Sequence, residues 1–179
     1  MNIVYTVNGE GMGHASRSSV VIDHLLKQGN HVAIFSAGKQ PLKFLRDKYG
    51  TVAKVMGLHM VYRDNKVQRL QTAFRVLVNM PEVRGDVACI RDSLEPFKPD
   101  VVITDFDFHG QLVSRMYHIP IVSIDNNQLL RFAQLQTHLE DFIDYEISAV
   151  VARMMAPHAD YYFITTFVPA TLRNTAKEG

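Results

Sequence analysis

The sequence predicts an α/β protein, a doubly wound parallel sheet with helices on both faces. Three observations lead there. Short apolar runs without polar alternation recur along the chain: "NIVYTV", "HVAIFSA", "PDVVITD" and "IPIVSID". Strands apolar on both sides belong in a sheet that is covered on both faces. The stretches between them are long enough for helices, which parallel crossovers require. At 179 residues and 47% hydrophobic content, the chain can also bury a core of its own.

Taken in order, "NIVYTV" (2–7) reads as the first strand. A helix over 15–28 follows, placing Ala15, Ser19, Ile22 and Leu26 on one face, with Gly29 where a helix C-terminus favours it. "HVAIFSA" (31–37) is the second strand, and "QPLKFLRDKYG" a short helix ending at Gly50. "TVAKVM" (51–56) is the third strand, with a possible continuation through "HMVY" (59–62). Residues 65–97 read as helical, interrupted at "MPEVRG" (80–85), where Pro81 stops one helix and can open the next. "PDVVITD" (99–105) is the fourth strand, 109–118 a helix and "IPIVSIDN" (119–126) the fifth strand. Helical stretches near 127–137 and 139–156 precede a last strand, "ADYYFITTF" (159–167). Six strands joined by right-handed crossovers make a Rossmann-like domain with strand order 3-2-1-4-5-6. The remainder, "VPATLRNTAKEG" (168–179), has no core pattern and reads as a linker cut short, so that 1–167 is the expected domain.

Composition narrows the function. A net charge of +1 gives no electrostatic reason for nucleic-acid binding. The single cysteine, Cys89, cannot form an internal disulfide, and Met1 leads straight into a strand; both point to a reducing cytoplasm. No apolar run approaches the roughly 20 residues that span a bilayer. The zinc spacings C-x-x-C and H-E-x-x-H are missing, so no metal site is expected.

The loop "NGEGMGHAS" carries the first site. In a doubly wound sheet ligands collect at the carboxyl ends of the strands, and this loop follows the first one. Gly9, Gly11 and Gly13 allow close backbone approach, and the helix behind them offers unpaired N–H groups to an anion. A dinucleotide site fits poorly, because His14 takes the place of the third glycine of G-x-G-x-x-G and Glu10 adds negative charge. The second strand also ends "FSAGK", without a ribose-binding acid at its tip, and no G-K-[ST] follows the glycines to make a P-loop. Two readings remain for His14. It is either a loop residue bonded to a neighbouring carbonyl or a general base, for which imidazole is suited near neutral pH.

A base needs an orienting partner. "VVITDFDFHG" (101–110) places Asp105 and Asp107 at the end of the fourth strand, beside the first in the predicted order. Asp105 could then fix the His14 tautomer and stabilise the imidazolium. Either aspartate could instead cap the following helix. The D-x-D of haloacid-dehalogenase-type phosphotransferases and of metal-chelating sugar transferases is a three-residue match of little specificity. "IDNN" puts Asp125, Asn126 and Asn127 on the same rim, where they can serve a hydroxyl-rich ligand or an ordinary turn.

"NGEGMGHASRS", "KPDVVITDF" and "HIPIVSIDN" together resemble the N-terminal half of GT-B glycosyltransferases. The likeness is to the group of the peptidoglycan lipid-intermediate N-acetylglucosaminyltransferase and UDP-glucuronosyltransferase-like proteins, and it covers essentially the whole chain in element order. The resemblance implies an inverting, metal-independent transfer from a UDP-sugar to an acceptor hydroxyl, with no further cofactor. It implies His14 as the base and Asp105 as its partner. Gly9, Gly11, Gly13, Asp107, Asp125, Asn126 and Asn127 are then the substrate-binding candidates. It also implies that the UDP-sugar is bound mainly by a second, C-terminal domain outside this chain, and that the chain alone is inactive. Relatives acting on lipid-linked acceptors touch the membrane surface through a basic–apolar segment. Here the corresponding residues would be Lys66, Arg69, Arg75, Arg84 and Arg91 among Leu70, Phe74, Leu77, Val78 and Met80, which also fit an ordinary amphipathic helix. Two rivals remain: a nucleotide-sugar 2-epimerase of the same fold, and a non-catalytic Rossmann module binding a small ligand or protein.

Overall fold

The computed structural model describes residues 1–56, 62–63, 66–67, 80–134, 142–167 and 169–173. Its centre is β1 (Asn2–Val7), followed by α1 (Met12–Lys27), β2 (His31–Ser36), α2 (Lys39–Tyr49) and the short β3 (Ala53–Lys54). A separate ribbon pairs β4 (Tyr62–Arg63) with β5 (Lys66–Val67). Then come α3 (Met80–Leu94), β6 (Val101–Asp105), α4 (His109–Tyr117) and β7 (Ile121–Asp125). The single turn α5 (Leu129–Phe132), α6 (Phe142–Met155) and β8 (Tyr161–Ile164) complete the order.

The main sheet is six-stranded, ordered β3-β2-β1-β6-β7-β8, with every neighbouring pair parallel. This is the predicted 3-2-1-4-5-6 order. β1 shows why its sequence lacks polar alternation. Ile3, Tyr5 and Val7 pack with Ala15 and Ile22 of α1 and Leu42 and Leu45 of α2, whereas Val4 packs on the opposite layer with Ile90 and Leu94 of α3 and Val113 of α4. Both faces of one strand are thus core, which is the burial a parallel sheet demands.

The register that matters for function is Val7 opposite Asp105, because it sets the carboxyl ends of β1 and β6 level. The strand order changes direction there, since β2 follows β1 to one side and β6 lies on the other. The crevice at such a switch point is where doubly wound folds bind ligands.

Several predicted elements are corrected. The third strand pairs over only two residues; Val52 and Val55 beside it are buried in opposite layers. Residues 66–67, expected to begin a helix, form a strand, because they pair antiparallel with 62–63. α3 opens at Met80 with Pro81 in its first turn, as the sequence allows and where the missing N–H costs nothing, but it then runs unbroken through 80–85. The helix predicted over 127–137 is one turn, after which Ala133 bridges Leu172 instead of continuing. On α1, Leu26 is exposed, and Leu25 packs against the core in its place. Most of the proposed basic–apolar segment (Arg69, Leu70, Phe74, Arg75, Leu77 and Val78) lies outside the described residues. Within it, Arg91 is exposed and pairs with Asp92 at 3.3 Å. Among the described residues, no helix is long and apolar enough to cross a membrane.

Candidate active site

Asp105 is the last residue of β6, and its side chain is fully buried. A buried carboxylate must be satisfied by donors, and four side-chain N–H or O–H groups converge on it. The Oδ1 atom lies 2.7 Å from His14 Nδ1 and accepts from the Arg17 terminal N–H at 2.5 Å. The Oδ2 atom accepts from Arg17 Nε at 3.1 Å and from the Ser18 hydroxyl at 2.8 Å. All three partners sit in the opening turns of α1, at spacings of three and four residues that place them on one helical face. β1 and its loop hold the strand end as well, the Asn8 N–H donating to the Asp105 carbonyl at 3.0 Å.

The short His14–Asp105 contact fixes the imidazole tautomer. Two lone pairs at 2.7 Å would repel, so Nδ1 carries a proton donated to Asp105, and Nε2 is left as the acceptor. An Arg17 terminal nitrogen also lies 3.0 Å from Nδ1, but a protonated Nδ1 cannot accept. That contact is proximity, and the guanidinium proton goes to Asp105.

The turn after β6 explains why its two aspartates part company. Phe106, between them, has a positive φ of 53°, a left-handed conformation costly for a residue with a Cβ. It is held there by the Asn8 side-chain amide, which donates to the Phe106 carbonyl at 2.7 Å. The Phe106 ring then lies parallel to His14, planes 6° apart and centroids at 5.8 Å. Beyond it, Asp107 turns away from His14. Its carboxylate accepts from both the backbone N–H and the Nδ1 of the buried His109, each at 2.9 Å. Asp107, expected to bind substrate, is therefore engaged at the start of α4.

His109 is in turn bracketed by Asp86 of α3, whose Oδ2 lies 3.3 Å from Nε2. Burial works against a charged His109, yet the two carboxylates outweigh it and push the imidazole up to about 9. Burial likewise opposes ionisation of Asp86, but His109 and the Met56 N–H hold its carboxyl below the usual range.

Around His14 opens a cleft of about 640 Å³. It is lined by the β1–α1 loop and α1 (Glu10, Gly13, His14, Arg17), the turn after β7 (Asn126, Asn127) and the segment after β8 (Thr165, Thr166, Phe167). His14, Gly13, Asn126 and Asn127 thus come together as the sequence suggested. Asn126 also accepts from Arg17 at 3.2 Å. Asp125 is buried beneath the rim, accepting from the Ser123 hydroxyl and the Gln128 N–H. That burial pushes its carboxyl up. It shapes the turn that carries the two asparagines.

The three loop glycines separate. Gly13 faces the cleft. Gly11 adopts φ 78° and starts α1. Gly9 packs against the backbone of Ala37 and Gly38, where a Cβ would lie 2.4 Å from the Ala37 carbonyl carbon. The sequence alone does not single out Arg17 and Ser18. The H-x-x-R-S spacing was visible, but an arginine on a helix ordinarily reads as a solvated residue. Among the described residues, no group of three or more His, Cys, Asp or Glu is placed to hold a metal ion.

The sequence profile of glycosyl transferase family 1 matches residues 1–177. An uncharacterized glycosyltransferase of Methanosarcina acetivorans is 26% identical over 144 residues, covering 79% of this chain and 35% of that protein. MurG of Acinetobacter baumannii is similar in fold, with a TM-score of 0.55 at 15% identity over 94% of this chain and 43% of its own. UGT2 of Phytolacca americana, solved with UDP-2-fluoro-glucose and pterostilbene, gives a TM-score of 0.55 at 14% identity, covering 93% of this chain and 48% of its own. The chain therefore spans 35% of the curated relative's length and under half of these solved structures. A match over nearly every residue, on a parallel sheet with its cleft at the switch point, places the chain in glycosyl transferase family 1.

Proposed function

We propose that this chain is the acceptor-binding part of an inverting, metal-independent glycosyltransferase that moves a sugar from a UDP-sugar to an acceptor hydroxyl. The observation that carries the reading is the His14–Asp105 contact at the wall of the cleft, with Asp105 fully buried. Family membership supports glycosyl transfer, and the Phytolacca neighbour was solved with a UDP-sugar analogue.

In this reading His14 Nε2 takes the proton of the acceptor hydroxyl. The hydroxyl oxygen forms a bond to the anomeric carbon, from the face opposite the leaving group, as the bond from that carbon to the diphosphate oxygen breaks. The electron pair leaves with UDP, the proton stays on the imidazolium, and configuration inverts. Asp105 stabilises the charge gained by His14 without taking the proton itself. Asn126, Asn127 and Thr166 offer both donors and acceptors along the cleft, which suits an acceptor rich in hydroxyls.

The test is His14→Ala in the full-length protein, assayed with UDP-sugars and polyhydroxylated acceptors. Loss of a general base should lower kcat by about 10²–10⁴-fold. His14 is also one of the donors to the buried Asp105, so the thermal midpoint should fall too, and kcat is read on the folded variant. Chelator should leave turnover unchanged. Unaltered turnover in His14→Ala would return the loop to a purely structural role.

A further inference from the structure

Beyond the His14–Asp105 pair, we propose that Arg17 is a positioning residue that clamps Asp105 and sets the charge against which His14 takes its proton. This rests on the reading of His14 as the base. The geometry is a fork: Arg17 reaches Oδ1 and Oδ2 of Asp105 with two different nitrogens, at 2.5 and 3.1 Å, and reaches Asn126 Oδ1 with the third, at 3.2 Å. Bidentate guanidinium–carboxylate pairing fixes orientation as well as distance. One side chain thereby ties the end of β6 to the turn after β7, across the mouth where the acceptor would lie.

Charge is the second part of the argument. The first turn of α1 contains no acidic residue, so Asp105 is the counter-ion that both His14 and Arg17 contact. With a neutral imidazole, Arg17 and Asp105 cancel, and proton uptake takes the trio from 0 to +1. Without Arg17, the same step would take the pair from −1 to 0, and His14 would hold its proton more tightly. Arg17 thus sets the net charge of the trio before and after His14 takes its proton. The other charged side chain lining the cleft is Glu10, in the loop before α1. Asp125, at the end of β7, is the titratable group beneath the rim, its carboxyl pushed up by burial; Asn126 and Asn127 beside it, and Thr165, Thr166 and Phe167 after β8, are uncharged.

The experiment compares the pH profiles of kcat/KM for Arg17→Gln, Arg17→Lys and wild type in the full-length protein, with thermal midpoints measured alongside. Arg17→Gln removes the charge, so the acid limb should move up by about one pH unit, the low end of the effect of a charge at this range. Its kcat should fall about tenfold, as expected when a bound geometry is loosened. Arg17→Lys keeps the charge but loses the fork, so its acid limb should stay in place while kcat falls. If Arg17→Gln does not fold, Arg17→Lys carries the test through that separation of limb and rate. An unmoved limb in Arg17→Gln, or wild-type kcat in a folded Arg17→Lys, overturns the assignment. His14→Ala distinguishes the two layers: an inactive His14→Ala with an unshifted Arg17→Gln leaves the base intact and removes only Arg17's role.

Discussion

A methyl group added at Gly9 would lie 2.4 Å from the Ala37 carbonyl carbon and 2.5 Å from the Gly38 nitrogen, both backbone atoms that cannot swing aside. The β1–α1 and β2–α2 loops touch there, and Gly38, at φ 73°, closes against Gly9 from the other side. Gly9→Ala should therefore cost about 1–3 kcal/mol, as overpacking does. Gly13 has no atom within 4 Å of such a methyl. Gly13→Ala should unfold within about 0.5 kcal/mol of wild type in denaturant. Because Gly13 lines the cleft, the same change should raise KM for the acceptor. Equal effects of the two substitutions on stability would show that neighbouring glycines of this loop are not divided between packing and ligand. Single residues also decide the aspartates: the left-handed Phe106 lets Asp105 meet α1 while Asp107 turns to His109.

At the scale of elements, α4 is pressed onto the sheet and tied to α3. Gly110 allows the close packing, since a Cβ there would lie 2.8 Å from Thr104 Cβ and 2.9 Å from the Thr6 hydroxyl. Those two threonines are bonded across β1 and β6 at 3.0 Å, and Thr104 donates on to the Asp107 carbonyl at 2.7 Å. The tie to α3 is the Asp86–His109–Asp107 chain, with Asp86 also accepting from the Met56 N–H at 2.5 Å. Its pH dependence has a definite sign. His109 is raised on folding from 6.5 to about 9, so the folded state binds the proton more tightly. The stabilisation is complete below about pH 6.5 and is lost as pH rises through 9. Its size is on the order of 3 kcal/mol, an upper value given the exposure of Asp86. Denaturant titrations at pH 6 and pH 9.5 should show this decline in wild type and much less of it in His109→Gln. A decline of equal size in His109→Gln would assign it to other groups. The segment 171–173 adds a further tie: Gln134 N–H donates to Thr171 O, Arg173 N–H to Phe132 O and Arg173 Nε to Ala133 O. Part of what the sequence suggested as linker therefore packs beside α5.

On the scale of the whole molecule, the cleft lies at the carboxyl edge of one sheet, and the chain matches less than half of the solved structures it resembles. The proposed division of labour then makes a direct prediction. Titrated by calorimetry, this chain alone should show no tight heat with UDP-sugar, while the full-length protein binds it. Submicromolar binding to the isolated chain would place the donor site here and reverse that division.

The sequence by itself determined the sheet. Strands apolar on both sides must be buried on both sides, and helices of crossover length between them favour parallel connections, so element order and the parallel sheet follow from local pattern. The doubly wound order this leads to is the one observed. It also put His14 at the loop–helix junction after the first strand and Asp105 at the end of the fourth, where proximity could be expected once the order was known. It misjudged 66–67, which a tight antiparallel pairing with 62–63 makes strand, and the helix from 127, because the Ala133–Leu172 bridge lies outside any local window. Only the tertiary structure decided which aspartate meets His14, which glycine is packing, and that Arg17 lines the cleft. Those outcomes depend on one backbone angle at Phe106, on the meeting of two loops, and on the level register of Val7 with Asp105. None of these is set by residue type at a single position. Each exists only when segments distant along the chain are brought together.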